Sequence, residues 1–367
     1  MTQNYCQAAV KMHARIKSRF CFLALCLPLF ANAAADGSSA ATFAKPHQQV
    51  DIGGRKINLY CSGQGATTVI FDSPAGDAGW NWFKVQPEVA KHARSCIYDR
   101  AGFGFSDSSP RPNTSENAVD DLHRALSAAD IKPPYLLVGN SLGGSNVQVY
   151  TYRYPGEVKG LVLVEPQSED ETMRSNKASQ GLLEKVYEMV KEHDKQCLQA
   201  ATKGFTPRSN AAASCAGNPS QHFGPVLGKQ VKAMMMTKSY WRTRVDEANA
   251  FATSNEQLRA LRKPFGDLPL VVLTRGVSPY MDPSKPQSAV NKAMEDENEQ
   301  IHKEIAALST LGKQRVVPAA SHGIQGDHPA AVTQAVVEVL DQISKCSNRL
   351  RCDGAPLARD VDGRVSP

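Results

Sequence analysis

The stretch Gly139-Asn140-Ser141-Leu142-Gly143 limits what this 367-residue chain can fold into more than any other part of it. Ahead of it runs Pro134-Tyr135-Leu136-Leu137-Val138, an apolar run of strand length, and behind it Asn146 to Tyr154 continues at helical spacing. A G-x-S-x-G pentapeptide between a strand and a helix fits a nucleophile elbow, which sets its serine on a sharp, strained turn. The glycines have a steric task there. A side chain two residues to either side of the serine would collide with the adjoining strand and helix. The bland alternative is a chance turn of small residues, and it does not call for the flanking strand and helix.

The rest of the chain alternates in the same manner. Gln49 to Asp51 and Arg55 to Cys61 read as a strand pair about the Gly53-Gly54 turn. Thr67 to Asp72 is a mostly apolar third strand, as suits a buried parallel position. Trp82, Val85, Val89 and Ala90 are spaced for an amphipathic helix over Trp80 to His92, followed by a strand at Cys96 to Asp99. A helix from Glu116 to Ala129 precedes the Ser141 segment, and Gly160 to Glu165 is the sixth strand. From about Asp170 to Pro264 the alternation stops and the sequence is helical, polar and Met-bearing. Strand character returns at Leu268 to Thr274, then a helix at Pro286 to Leu311, a strand at Gln314 to Pro318 and a helix at Pro329 to Ser344. This predicts an α/β protein with a mostly parallel, doubly wound sheet and a helical insertion between strands six and seven.

The N-terminal segment reads as a secretory signal. Lys11, Arg15, Lys17 and Arg19 lead into the apolar run Phe20 to Phe30, too short to span a bilayer comfortably, and Ala31-Asn32-Ala33 is an A-x-A site. Cleavage is expected after Ala33, with Ala35 as the alternative site and an uncleaved anchor as the rival reading. The formal net charge of +6 falls to +2 without those four basic residues, which gives no electrostatic reason to expect a nucleic-acid partner. Nine cysteines become six: Cys61, Cys96, Cys197, Cys215, Cys346 and Cys352. An even number in an exported chain suggests disulfides, with many connectivities open. The sequence-local pairing joins Cys197 to Cys215 and Cys346 to Cys352, which leaves Cys61 with Cys96. No Cys/His spacing suits zinc, so no metal is expected. The organisation expected is a signal peptide over 1–33, a disordered lead-in over 34–48, core over 49–169, a helical cap over 170–264, core again over 265–345, and a tail over 346–367.

Several stretches together resemble the α/β-hydrolase fold family. They are Tyr98-Asp99-Arg100-Ala101-Gly102-Phe103-Gly104-Phe105-Ser106-Asp107, the Ser141 pentapeptide, Tyr154-Pro155-Gly156-Glu157-Val158, Gly160 to Glu165 and Ser321-His322-Gly323. The resemblance covers roughly Gln49 to Ser344, and the helical insertion corresponds to the family's cap. It implies that the second strand runs antiparallel beside the fourth, which would bring Cys61 within bridging reach of Cys96.

The family's order of Ser, acid and His implies roles for particular residues. Ser141 would be the nucleophile and His322, after the last strand, its base; His328 competes but has a sufficient reading as a helix-start residue. The acid has two candidates. Glu165 ends the sixth strand, a position used by some haloalkane dehalogenases, whereas Asp282 follows the seventh strand without the usual G-x-x-D spacing. Glu165 is preferred, Asp282 is the alternative and Asp170 a distant third. The oxyanion hole would take backbone N–H groups from Leu142 and, since Pro74 has none, from Ala75. Asp99-Arg100 with Gly102 and Gly104 would shape a turn beside the site. Trp80, Trp82, Met234 to Met236, Tyr240 and Trp241 would be core or pocket lining. A serine at position 141 excludes the epoxide hydrolases and dehalogenases, which need aspartate there.

The expectation is an exported serine hydrolase acting without cofactor on a small-molecule ester or related acyl substrate. It has no nucleic-acid partner, and no membrane association once the signal is removed. The alternatives are carbon–carbon bond hydrolysis on the same fold, suggested by Gly139 to Gly144, and a non-catalytic ligand-binding relative.

Overall fold

The computed structural model describes residues 40–206, 208–281 and 284–352, with side chains through residue 345. The sheet strands are β1 (Gln48–Asp51), β2 (Lys56–Ser62), β3 (Thr68–Asp72), β4 (Arg94–Tyr98), β5 (Tyr135–Ser141), β6 (Val158–Pro166), β7 (Leu270–Arg275) and β8 (Gly312–Val317). They form one sheet in the order β1-β2-β4-β3-β5-β6-β7-β8. β1 with β2 and β2 with β4 pair antiparallel, and the remaining pairs are parallel.

The central strands β3 and β7 are buried along their whole length, and β5 up to Ser141. Their alternate residues point to opposite faces of the sheet. Val69, Phe71, Leu136, Val138, Val271 and Leu273 join the core on one face. Ile70, Leu137, Leu161, Leu163, Leu270 and Val272 join the core on the other. Covering both faces takes helices, which is why these strands are continuous apolar runs and not alternating ones.

Strand order also fixes where a ligand can sit. From β3 the chain crosses to β4 on one side, while β5 pairs with β3 on the other. The connections leaving β3 and β5 therefore diverge, opening a crevice at their carboxyl ends. Between β6 and β7 the chain forms helices at Glu171–Ala178, Leu182–Lys203, Asn210–Ala216, Ser220–Met235 and Lys238–Leu261.

Three expectations change. Trp80 to His92 is not one amphipathic helix but a 3-10 turn at Gly79–Trp82 and a short helix at Gln86–Val89. Asp77 imposes the tight turn. Its Oδ1 accepts from the Ala78 N–H at 2.9 Å and the Trp80 indole at 2.6 Å, and Asn81 donates to its Oδ2. The lead-in is ordered from residue 40, because Ala40 and Phe43 are buried in the core and Phe43 meets the edge of Tyr60. The last helix runs Pro329–Cys352, past the expected end at Ser344.

Among the described residues, two disulfides are formed. Cys61 and Cys96 face each other in the antiparallel β2–β4 register, 4.1 Å apart at Cα. Cys197 and Cys215 join two helices of the insertion, 5.6 Å apart at Cα. The side chains of Cys346 and Cys352 lie outside the described residues, as does the whole N-terminal segment expected to be a signal. Among the described residues, no helix is long and apolar enough to cross a membrane.

Candidate active site

Ser141 ends β5 and begins the helix Leu142–Arg153, with φ 54° and ψ −121°. A non-glycine residue at that φ is strained by roughly 1–3 kcal/mol, and the packing around it must hold it there. The glycines supply that packing by lacking side chains. A Cβ on Gly139 would lie 2.3 Å from the Gly143 carbonyl oxygen, and one on Gly143 would lie 2.5 Å from the Asp72 carbonyl oxygen. Both obstacles are backbone, so neither can give way cheaply. The second also shows how closely the turn abuts the loop that leaves β3.

Asn140, the residue before Ser141, ties the turn to its neighbours. Its Nδ2 donates to the Val164 carbonyl at 2.8 Å and to the His322 carbonyl at 3.4 Å, and its Oδ1 accepts from Gln325 Nε2 at 2.9 Å. The backbone of the His322 loop is thereby anchored to the strand that carries Ser141.

Glu165 lies near the end of β6, the strand beside β5, and is buried. Its Oε2 is 3.1 Å from His322 Nδ1. A carboxylate only accepts, so this contact puts the proton on Nδ1 and leaves Nε2 as the free acceptor. Glu165 has further donors: the Arg275 N–H to Oε1 at 2.6 Å, the Arg275 guanidinium to Oε2, and Asn298 Nδ2 to Oε1 at 3.3 Å. Burial alone would raise its pKa, but the Arg275 guanidinium and the His322 hydrogen bond outweigh it. The carboxyl is held well below the usual range and stays ionised. Arg275 is itself shared with Glu295 at 2.8 Å, so the buried cation keeps a second partner.

His302 braces the bend that follows Glu165. Its Nε2 lies 3.1 Å from the Pro166 carbonyl, and its Nδ1 lies 2.9 Å from Thr274 Oγ1. The carbonyl requires a proton on Nε2, so Nδ1 accepts from the hydroxyl. Burial lowers its pKa despite the attraction of Glu165, and the ring stays neutral.

Asp170, the third acid candidate, is not in this arrangement. Asp282 lies outside the described residues. Asp170 pairs with Arg259 at 2.7 Å on a part-exposed surface. His328 closes the short helix Ile324–Asp327 through its backbone N–H to Ile324 at 2.7 Å.

Ala75 sits in the loop after β3, which Arg100 grips from beneath. Arg100 donates to Asp72 Oδ1 at 2.8 Å, to the Ser73 carbonyl, and to the Pro74 carbonyl at 2.8 Å. In a trans peptide the C=O and the following N–H point in opposite directions. With the Pro74 carbonyl turned to Arg100, the Ala75 N–H faces away from it. Leu142 contributes the first N–H of its helix, one of those with no partner inside the helix. Asp99 and Gly104 shape the neighbouring turn, since Asp99 accepts from the Gly79 N–H at 2.8 Å and the Phe105 N–H at 2.9 Å. Trp82 and Trp241 are fully buried core residues. Among the described residues, His193, Cys197 and Cys215 bring three potential metal-ligand atoms together, but the two sulfurs are bonded to each other.

Sequence reasoning did not single out Asn140, Gln325, Arg275, Asn298 or His302 as supports. Each acts across more than a hundred residues of chain or through a helix with no local motif. Asn140 alone carried a signal, from its place inside the pentapeptide.

The profile of the alpha/beta hydrolase fold family matches residues 68–266, more than half of the chain. The chain belongs to that family. Among curated proteins it is 29% identical over 118 residues to an uncharacterized Bacillus subtilis protein, YbdG, across 32% of this chain and 36% of that one. It is 35% identical over 123 residues to a 2-hydroxy-6-oxo-2,4-heptadienoate hydrolase of Pseudomonas putida, across 32% of this chain and 43% of that one. The chain thus spans less than half the length of either relative. Among solved structures, a thermophilic esterase from Thermogutta terrifontis superposes with a TM-score of 0.54 at 18% identity, over 82% of this chain and 99% of that one. At that identity the likeness is one of fold.

Proposed function

We propose that this chain is an exported serine hydrolase that cleaves carboxylic esters or related acyl bonds through an acyl-enzyme on Ser141. The observation that carries the reading is the hydrogen bond between His322 and the buried Glu165, on a loop tied through Asn140 to the strand where Ser141 makes its strained turn. A serine hydroxyl is a weak nucleophile at neutral pH and needs a base whose free nitrogen can take its proton. Glu165 fixes that tautomer and stabilises the imidazolium that forms.

In this mechanism Ser141 Oγ attacks the acyl carbon as His322 Nε2 takes the proton. The N–H groups of Leu142 and Ala75 hold the developing oxyanion. His322 then protonates the leaving alkoxide, and the acyl-enzyme remains. Water attacks it with His322 again as base, releasing the acid and restoring Ser141. The helices over 170–264 serve as the cap above this site. Two disulfides and the basic, apolar N-terminal segment support export.

Carbon–carbon bond hydrolysis is the second reading, favoured by the Gly139 to Gly144 sequence and by the activity named for the Pseudomonas putida relative. Initial rates on p-nitrophenyl esters of graded acyl length, for wild type and Ser141→Ala, separate the two. Ester turnover that disappears in Ser141→Ala is the expected result. A folded wild type that hydrolyses no ester in the series contradicts the proposal.

A further inference from the structure

The helix Lys238–Leu261, the last before β7, reaches down to the same loop that carries Ala75. Glu247 on this helix is fully buried, and each of its oxygens has a separate task. Oε1 accepts from Arg100 Nη2 at 2.9 Å and from Arg100 Nε at 3.1 Å. Oε2 accepts from the Gly76 backbone N–H at 2.6 Å. Tyr240, two turns earlier on the helix, donates its hydroxyl to the Gly76 carbonyl at 3.0 Å. Both faces of the Gly76 backbone are therefore held by the insertion, and neither by the core. Gly76 itself has φ +71°, and a Cβ there would run into the Arg244 guanidinium of the same helix.

We infer that Glu247 is a positioning residue for the oxyanion hole, which makes the Lys238–Leu261 helix a working part of the catalytic machinery as well as a cover. The inference rests on the ester-hydrolase reading and on Ala75 as an oxyanion donor. Arg100 turns the Pro74 carbonyl inward and so aims the Ala75 N–H outward. Glu247 holds Arg100 from the far side and fixes the next residue, Gly76, directly. Ala75 is thus flanked by two held peptides, the one before it gripped by Arg100, which Glu247 holds, and the one after it bonded to Glu247 directly. Asp72 anchors the other side of Arg100, and Tyr98 at 2.8 Å and Asn146 at 3.0 Å donate to its second oxygen. Glu247 and Tyr240 thus join this cluster from the insertion helix, outside the core sheet and its adjoining helices. Any displacement of the insertion helix pulls on the oxyanion loop, so the cap's position and the hole's geometry are one coordinate.

Glu247→Gln is the informative change because it keeps the shape and cannot keep the function. One end of the amide donates, so either Arg100 or the Gly76 N–H loses its acceptor. Loss of a whole oxyanion donor lowers kcat by about 10²–10³, and a misaimed donor should lower it by roughly ten- to a hundredfold. KM, set by ground-state contacts, should change by less than about threefold. Tyr240→Phe removes one neutral hydrogen bond to the same loop and should show the same split at roughly two- to fivefold. Glu169→Gln is the control. It breaks a comparable ion pair, Glu169 with Arg262, that does not touch the loop, and should leave kcat unchanged. Amide hydrogen exchange of a peptide covering residues 73–78 reads the loop without any substrate, and it should quicken in Glu247→Gln and Tyr240→Phe but not in Glu169→Gln. An unchanged kcat in folded Glu247→Gln, or a kcat loss matched by the control, overturns the inference. So does unchanged exchange of the loop peptide. A wild type inactive on esters would refute the functional reading instead, and loop exchange would then still decide whether the clamp exists.

Discussion

Replacing Glu165 by Gln tests the acid assignment by changing one charge and almost no volume. The consequence follows from the donors around the carboxylate. Oε1 takes the Arg275 N–H and Asn298, while Oε2 takes the Arg275 guanidinium and His322. Every neighbour donates, so an amide NH2 has no good place to go. Turned toward Oε2, it faces His322, and the imidazole must flip its tautomer to offer Nδ1 as acceptor. Nε2 then carries the proton and can no longer accept one from Ser141. Turned the other way, it meets the Arg275 N–H and Asn298, and the imidazolium still loses its counter-charge. The equivalent tautomer error in a serine protease lowers kcat by about 10⁴, or roughly 5 kcal/mol in barrier height. Stability should fall too, toward the low end of the roughly 3–5 kcal/mol for a broken buried pair, because Glu295 still neutralises Arg275. The two effects separate by assay: kcat on a p-nitrophenyl ester at pH 7, and urea unfolding of the same preparation. Their pH dependence adds a check of sign. Glu165 has a folded pKa below its unfolded value, so its stabilisation is complete above about pH 4.5 and is lost as the pH falls below that. The stability gap between wild type and Glu165→Gln should therefore narrow only on the acid side. A folded Glu165→Gln enzyme with kcat within tenfold of wild type would refute the reasoning and return Asp282 as the acid.

Gly143→Ala should abolish ester turnover and lower the unfolding midpoint, because its Cβ would meet the Asp72 and Ser73 carbonyl oxygens at 2.5 and 2.7 Å; an active, undestabilised variant would mean the turn is not packed against the β3 loop. The Cys61–Cys96 bridge closes a sequence separation of 35 residues. Chain-entropy bookkeeping for such a loop gives about 4 kcal/mol, so Cys61→Ala/Cys96→Ala should lose stability on that order in urea unfolding. Non-reducing peptide mapping that finds both thiols free would contradict the pairing.

What could be read in the sequence, and what could not, divides by the range of the interaction. The β–α alternation and the Ser141 turn are local: strand residues alternate between two cores, and the glycine positions are fixed by neighbours a few residues away. The Cys61–Cys96 pair is left over by the sequence-local pairing, but a spatial reason for it comes from the family's strand order. Trp80 to His92 misled because its apolar residues are buried on all sides, so their spacing does not mark one helical face. Glu165 was favoured through the poor spacing of its rival, whereas the structure adds a physical reason in Arg275, Asn298 and His322. Those partners lie 110, 133 and 157 residues away and leave no pattern in the chain. The same holds for Glu247. A buried carboxylate in a polar helix looks like any solvated one until Arg100 and Gly76 are found beside it.

The central claim is that Ser141 becomes covalently acylated. Intact-protein and peptide mass spectrometry after treatment with a fluorophosphonate tests it directly, using the full chain, with Ser141→Ala and His322→Ala in parallel. The account predicts a single stoichiometric adduct on the peptide bearing Ser141, none in Ser141→Ala, and strongly slowed labelling in His322→Ala. A folded wild-type protein that forms no adduct, or forms it on another serine, would contradict the account.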